Sequence, residues 1–295
     1  MSDAQPRKAQ NHGLGVLFLL GGLFCFAAME ATAKFLAARY SVIEITWARY
    51  LTNLLCLCLL FVNRPVREVL RTTRLRLQII RSVFILGVTL FFFAAITFMR
   101  LADATAVLYA APLFITALSV PILGDRVDGF RWLSVLVGFL GVLVVARPSS
   151  GVLDWPALFV LGAAICYGFY VNITRLLGPT ESSWTTVFYT ALVGALAMSV
   201  AVPFFWRTPS AVDWLWLIET GVLGGIGHYL IFKAYEVAQP SALAPFTYSH
   251  LLWATLLGLV VFGEFPDLWT ILGAAIIVGS GIAIWRRERR LRAAV

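Results

Sequence analysis

Apolar residues fill this chain in long unbroken runs, and short polar breaks separate one run from the next. Ten runs stand out, near 13–36, 42–62, 79–99, 103–122, 130–147, 155–174, 184–205, 214–235, 241–262 and 268–285. Each approaches the roughly 20 apolar residues that carry an α-helix across about 30 Å of hydrocarbon. The strands of a membrane β-barrel would alternate at every second residue, which these runs do not. The pattern therefore predicts an all-α integral membrane protein with ten transmembrane helices.

The runs repeat internally. "LFLLGGLFCFAAMEATAKFL" (17–36) lines up with "LFVLGAAICYGFYVNITRLL" (158–177) at one constant offset, which pairs Gly21 with Gly162, Cys25 with Cys166 and Lys34 with Arg175. The ends correspond too: "LGDRVDGFRWLSVLVGFLGVLVVAR" matches "FGEFPDLWTILGAAIIVGSGIAIWR". Five spans per copy is an odd number, so the second copy enters the membrane from the opposite side. This predicts two inverted five-helix repeats, 13–148 and 155–286, joined near Pro148 to Asp154. A tail, 1–12, precedes them and a basic tail, 287–295, follows. "Ala31-Thr32-Ala33" has the small-residue look of a signal-peptidase site. The internal copy of the same helix argues for retention.

Composition strengthens the membrane reading. With 60% hydrophobic and 13% charged residues and a mean hydropathy of +0.87, the chain has too few polar side chains to cover a water-soluble globule. The net charge of +8 is distributed as a topology signal. Arg64, Arg67, Arg71, Arg74, Arg76, Arg81 and the arginines of the tail gather on one side of the predicted membrane, few on the other. The positive-inside rule then places both termini in the cytoplasm, in a bacterial-type inner membrane. Headgroup contacts make lipids the other natural partner of these residues, and nucleic acid is not expected. Cys25, Cys56, Cys58 and Cys166 all fall inside spans and spell neither a disulfide framework nor a metal site.

The stretches "APLFITALSVPILGDRV" and "LLWATLLGLVVFGEFPDLWTILGAAIIVGSGI", small residues and proline leading to Gly-acidic, resemble the EamA-type members of the drug/metabolite transporter superfamily. The likeness covers nearly the whole chain, with Asp125 where glutamate is usual. It implies a central cavity lined by spans 1, 3, 4, 6, 8 and 9, with spans 5 and 10 as scaffold. "MEATAKFLAARYSVIEITWARYLTNLL" is similar both to members that import riboflavin and to exporters of amino-acid-derived metallophores.

An ionisable side chain deep in the bilayer costs at least about 2.5 kcal/mol to insert and needs a partner or water. At 1.5 Å per residue, Glu30 lies about 9 Å and Arg49 about 12 Å below the same face. An ion pair between them is permitted, either as a substrate- or proton-binding carboxylate tuned by Arg49 or as a static fastener. Glu219 is a second candidate partner for Arg49. Glu44, nearer the surface, is expected to be solvated, and Lys233 to snorkel. His228 is read both as a proton-coupling group alongside Glu30 and as a packing histidine. Tyr109, Tyr170, Asn172, Tyr229, Tyr248 and His250 complete the expected substrate-binding set, with Pro245 loosening the ninth span. Gly221 and Gly225 are expected to give the eighth span a smooth packing face.

No phosphate loop, HExxH helix or nucleophile elbow occurs, so neither an enzyme nor a cofactor is expected. Inverted repeats favour a secondary carrier rocking around a midplane site. Its expected substrate is a small polar organic metabolite, with riboflavin uptake as the leading single expectation. Export of amino acids or an amino-acid-derived metallophore is the alternative, and a membrane-embedded receptor or structural protein is the reading from another class. A homodimer stays open.

Overall fold

The computed structural model describes residues 11–60, 70–125, 127–146, 155–178 and 181–293. The chain is an all-helical membrane protein. Helices α1 (His12–Ala37), α2 (Val42–Leu60) and α3 (Leu75–Ile96) form the first three spans. The fourth is broken into α4 (Leu101–Leu108) and α5 (Ala111–Leu123), and α6 (Gly129–Ala146) is the fifth. Then come α7 (Trp155–Leu177), α8 (Ser183–Ala201) and α9 (Ala211–Val237). The ninth span is α10 (Pro240–Leu243), a 3-10 turn (Ala244–Tyr248) and α11 (Ser249–Phe262), and α12 (Leu268–Ala293) is the tenth. Among the described residues nine of these segments are long and apolar enough to cross a membrane. The span made by α6 has the shorter apolar stretch Trp132–Val145.

The ends of the helices follow from local chemistry. Asn11, Ser182 and Ser210 accept backbone N–H groups of the first turns of α1, α8 and α9. Two stops are alike: Gly124 ends α5 at φ 71° and Gly263 ends α11 at φ 68°, a left-handed conformation glycine adopts freely. In both, the amide after the glycine reaches six residues back, Asp125 to Ser119 and Glu264 to Gly258. These caps fix where the two acidic side chains emerge.

Packing pairs α1 with α9, α3 with α7, and α6 with α12; α2 lies against α8 and α9. Small residues allow the close approaches. A Cβ on Gly22 would stand 2.9 Å from the carbonyl oxygen of Gly227, and one on Gly141 2.9 Å from that of Gly273. The expected pairing of Gly221 with Gly225 resolves differently. Gly221 is pressed against Thr52 and the Arg49 carbonyl, whereas a Cβ on Gly225 would meet open space. The two are offset by only about 40° around α9; what differs is the neighbour, since Gly225 borders a cavity. Leu59, Val200, Phe204 and Val260 face outward, as lipid-facing side chains do.

Candidate functional site

Glu30 is buried in the wall of α1, and its Oε2 lies 3.3 Å from Nε2 of His250 on α11. The two atoms are not aligned as a hydrogen bond, and neither has another hydrogen-bond partner among the described residues. Around them stand tyrosines. Tyr109, at the break between α4 and α5, packs against Tyr248 with ring centroids 5.1 Å apart and lies within electrostatic reach of Glu30 and Tyr167. The Tyr109 hydroxyl donates to the Thr247 carbonyl at 2.6 Å, so the breaks in the fourth and ninth spans are knitted together. Tyr167 and Tyr170 stack obliquely at 5.7 Å on α7. Tyr167 was missed by sequence reasoning, although it precedes Tyr170 by one turn.

The expected Glu30–Arg49 ion pair does not form. Consecutive helical residues diverge by about 100°, and it is Met29 that faces α2: its sulfur accepts from Arg49 Nε at 3.1 Å. Arg49 Nη1 donates to the Thr89 hydroxyl at 2.6 Å, and the guanidinium leans on the rings of Tyr50 and Phe93. Glu219 is not the substitute either: no ion pair joins it to Arg49 among the described residues, and its Oε2 is buried without a hydrogen-bond partner. Glu44, expected in solvent, is fully buried and accepts the backbone N–H of Arg207 at 3.2 Å. The Trp47, Trp206 and Trp214 rings pack on one another near that end of α2.

A cavity of ≈ 360 Å³ opens between α2, α8 and α9. It is lined by Asn53, Cys56 and Leu57, by Trp184 and Val187, and by Val222, Gly225, Ile226, His228, Tyr229 and Phe232. Of these helices only α9 belongs to the set that the family resemblance implied. His228 faces the cavity with its ring edge-on to Phe26 at 4.9 Å. Tyr229 shares the wall, with the Lys233 ammonium 5.8 Å from its ring centroid. Lys233 is paired with Glu236 at 2.7 Å. Asn172 is not near the cavity. It is fully buried and donates to the Ile115 and Gly168 carbonyls, bolting α7 to α5.

Arg81 is the largest departure from the sequence reading, which placed it among the loop arginines. Because α3 begins at Leu75, Arg81 lies two turns inside the helix and is only 2% exposed. Its guanidinium donates to the hydroxyls of Thr174, Thr190 and Tyr170 and to the Thr186 carbonyl, and stacks on the Tyr170 ring at 4.7 Å. An arginine followed by "SVFILGVTLFFF" was the available signal. Both Arg49 and Arg81 lie within electrostatic reach of His228.

The two membrane faces are tied unequally. At the end of α1, Lys34 pairs with Glu264 at 2.5 Å and also donates to the Met99 carbonyl. Arg39 and Tyr40 hold Asp213, and Arg100 bridges Asp103 and Asp267. At the opposite face Arg175 pairs with Asp125 at 2.9 Å, but its side chain is 51% exposed against 11% for Lys34. Among the described residues, no group of three His, Cys, Asp or Glu side chains could hold a metal ion.

The sequence profile of the EamA-like transporter family matches residues 13–147 and again 154–286. The chain belongs to the EamA-like transporter family. It is a multi-pass membrane protein and a small-molecule transporter of the drug/metabolite transporter superfamily. As an EamA-like chain it is 30% identical to the riboflavin transporter of Vibrio cholerae, covering 96% of this chain and 99% of that one. It is 27% identical to the S-adenosylmethionine uptake transporter of Rickettsia prowazekii over 94% of each. It is also 27% identical to the pseudopaline exporter of Pseudomonas aeruginosa, over 93% and 97% respectively. A solved crystal structure superposes with a TM-score of 0.61 at 21% identity, covering 94% and 98% of the two chains, a likeness of fold.

Proposed function

We propose that this EamA-like protein is a secondary carrier that moves a small polar organic metabolite by alternating access. Its halves, 13–148 and 155–286, act as inverted repeats, with both termini in the cytoplasm of a bacterial-type cell. The observation that carries this reading is the pair of corresponding ion pairs, Lys34–Glu264 and Arg175–Asp125. Lys34 aligns with Arg175 in the internal repeat, and both acids follow the glycine of the same cap. Lys34 is the more enclosed of the two cations, 11% exposed against 51% for Arg175, while the two acids are alike at 28% and 31%, and this difference supports a state tighter at the Lys34 face than at the Arg175 face. Breaks in the fourth and ninth spans place irregular backbone at corresponding points, where carriers build midplane sites.

The substrate-binding groups in this reading are Glu30, His250, Tyr109, Tyr248 and Tyr170, joined by His228 and Tyr229 in the cavity wall and by Arg49 behind it. Glu30 with His250 is the proton-coupling centre, with His228 as the second candidate. Aromatic walls favour a substrate with a flat ring. Riboflavin and S-adenosylmethionine both carry one, and relatives named for each support either reading. The test is uptake of a labelled metabolite panel into proteoliposomes holding the purified chain. Accumulation of at least one ring-bearing metabolite is expected; a chain that moves no member in either direction overturns the reading.

A further inference from the structure

Two permanently charged side chains sit inside the membrane-spanning body with no counter-ion among the described residues. Arg49 is 9% and Arg81 2% exposed, and neither has a carboxylate within 4 Å among the described residues. Guanidinium stays protonated at any physiological pH. Every partner listed above for the two groups is neutral: a thioether, four hydroxyls and a carbonyl. Nη2 of Arg49 has no hydrogen-bond partner among the described residues. The nearby acids do not pair with either arginine: Glu30 turns to His250 and Glu44 to the Arg207 backbone.

Burying a charge without its counter-ion is expensive, and such groups in membrane proteins mark ligand or ion paths. Neither arginine lines the cavity, but Arg49 sits on α2 and Arg81 is held by α8, two of the helices that do. Asn53, which lines it, is one turn beyond Arg49 on α2. Val187, also lining it, is flanked on α8 by Thr186 and Thr190, which hold Arg81. Gly224 offers no side chain to cover Arg49, and a Cβ there would stand 3.5 Å from its Nε. A planar fork of N–H donors suits carboxylate and phosphate oxygens better than any neutral group.

We propose that Arg49 and Arg81, held just behind the cavity lining beside Asn53 and Val187, draw an anion into this cavity, so that the substrate carries a carboxylate or a phosphate monoester. The proposal rests on the transport reading for its physiological role, but the site itself is tested by binding. Matched probes isolate the anion: S-adenosylmethionine against its decarboxylated form, and riboflavin 5′-phosphate against riboflavin. Binding to the purified full-length chain is read as thermal stabilisation, and transport in proteoliposomes is read separately. The anionic member of at least one pair is expected to bind about tenfold more tightly. The pair that shows the preference identifies the anion as carboxylate or phosphate. R49Q and R81Q are expected to abolish the preference for the member that carries the carboxylate or phosphate, and R49K and R81K to keep part of it. Should the glutamine variants misfold, the wild-type comparison decides. Equal binding within both pairs overturns the anion site whatever transport shows, whereas a preference without transport leaves the site standing and removes the carrier reading.

Discussion

Lys34 on α1 and Glu264 beyond α11 are joined by an ion pair between segments 230 residues apart in the chain. The corresponding Arg175–Asp125 pair is half exposed. Loss of a charge-assisted contact in a protected place costs about 1.5–3 kcal/mol, whereas exposed pairs contribute about 1 kcal/mol or less. E264Q is therefore expected to destabilise the purified protein more than D125N, as read by thermal melting. A larger loss in D125N would contradict the assigned closed face.

Glu30 and His250 are expected to behave as one unit. In a double-mutant cycle, E30Q with H250Q should be milder than the sum of the two single changes in both melting temperature and transport. Proton-driven flux in proteoliposomes should weaken in E30Q while substrate exchange persists. Additive effects, or wild-type flux indifferent to an imposed pH gradient, would remove the pair from energy coupling.

Glycines on α9 differ in what they permit. G227V places atoms where Phe26 and the Gly22 carbonyl already stand, and overpacking of this kind costs about 1–3 kcal/mol. G225V meets open space and should melt near the wild-type temperature while narrowing the cavity and reducing transport. Equal destabilisation by the two substitutions would contradict this packing of α9.

A pH effect is expected at Glu181, in the turn before α8. Burial pushes its carboxyl up, but hydrogen bonds from Thr72, Thr73 and Gln78 outweigh this and hold it below the ordinary value of 4.5. A lowered folded value stabilises the contact above the unfolded value and loses it as pH falls through the folded one. Hydrogen exchange at the Thr73 amide, corrected for intrinsic rate, should therefore rise below about pH 4.5. E181A should show fast exchange at neutral pH as well.

Topology is tested in intact cells with an impermeant thiol reagent. On a cysteine-free background, L70C should stay unlabelled from outside and P209C should react. The reverse pattern would invert the proposed orientation.

The helices were legible because lipid and core alike demand apolar side chains, so each span announces itself in composition alone. Glu30, His250, Tyr109 and Tyr248 were legible as polar groups in apolar surroundings. Their partners were not, because a one-residue difference rotates a side chain by about 100°: Met29, not Glu30, meets Arg49. Depth below a face does not encode azimuth. Arg81 was hidden by a boundary, since an arginine near the start of an apolar run reads as a loop residue until the helix is seen to begin earlier. Glu44 was hidden because its partner, the Arg207 backbone, arrives from 163 residues away in the chain.

The partners of Arg81 bear on how the protein is made. Thr174, Thr186, Thr190 and Tyr170 all lie on α7 and α8, between 89 and 109 residues later in the chain. While the ribosome is still producing those residues, α3 must already reside at the insertion machinery with a guanidinium that carries about 2.5–3.5 kcal/mol of insertion cost at full depth. Its final seat does not yet exist. A truncated product ending before α7 would lack all four of these partners of that guanidinium.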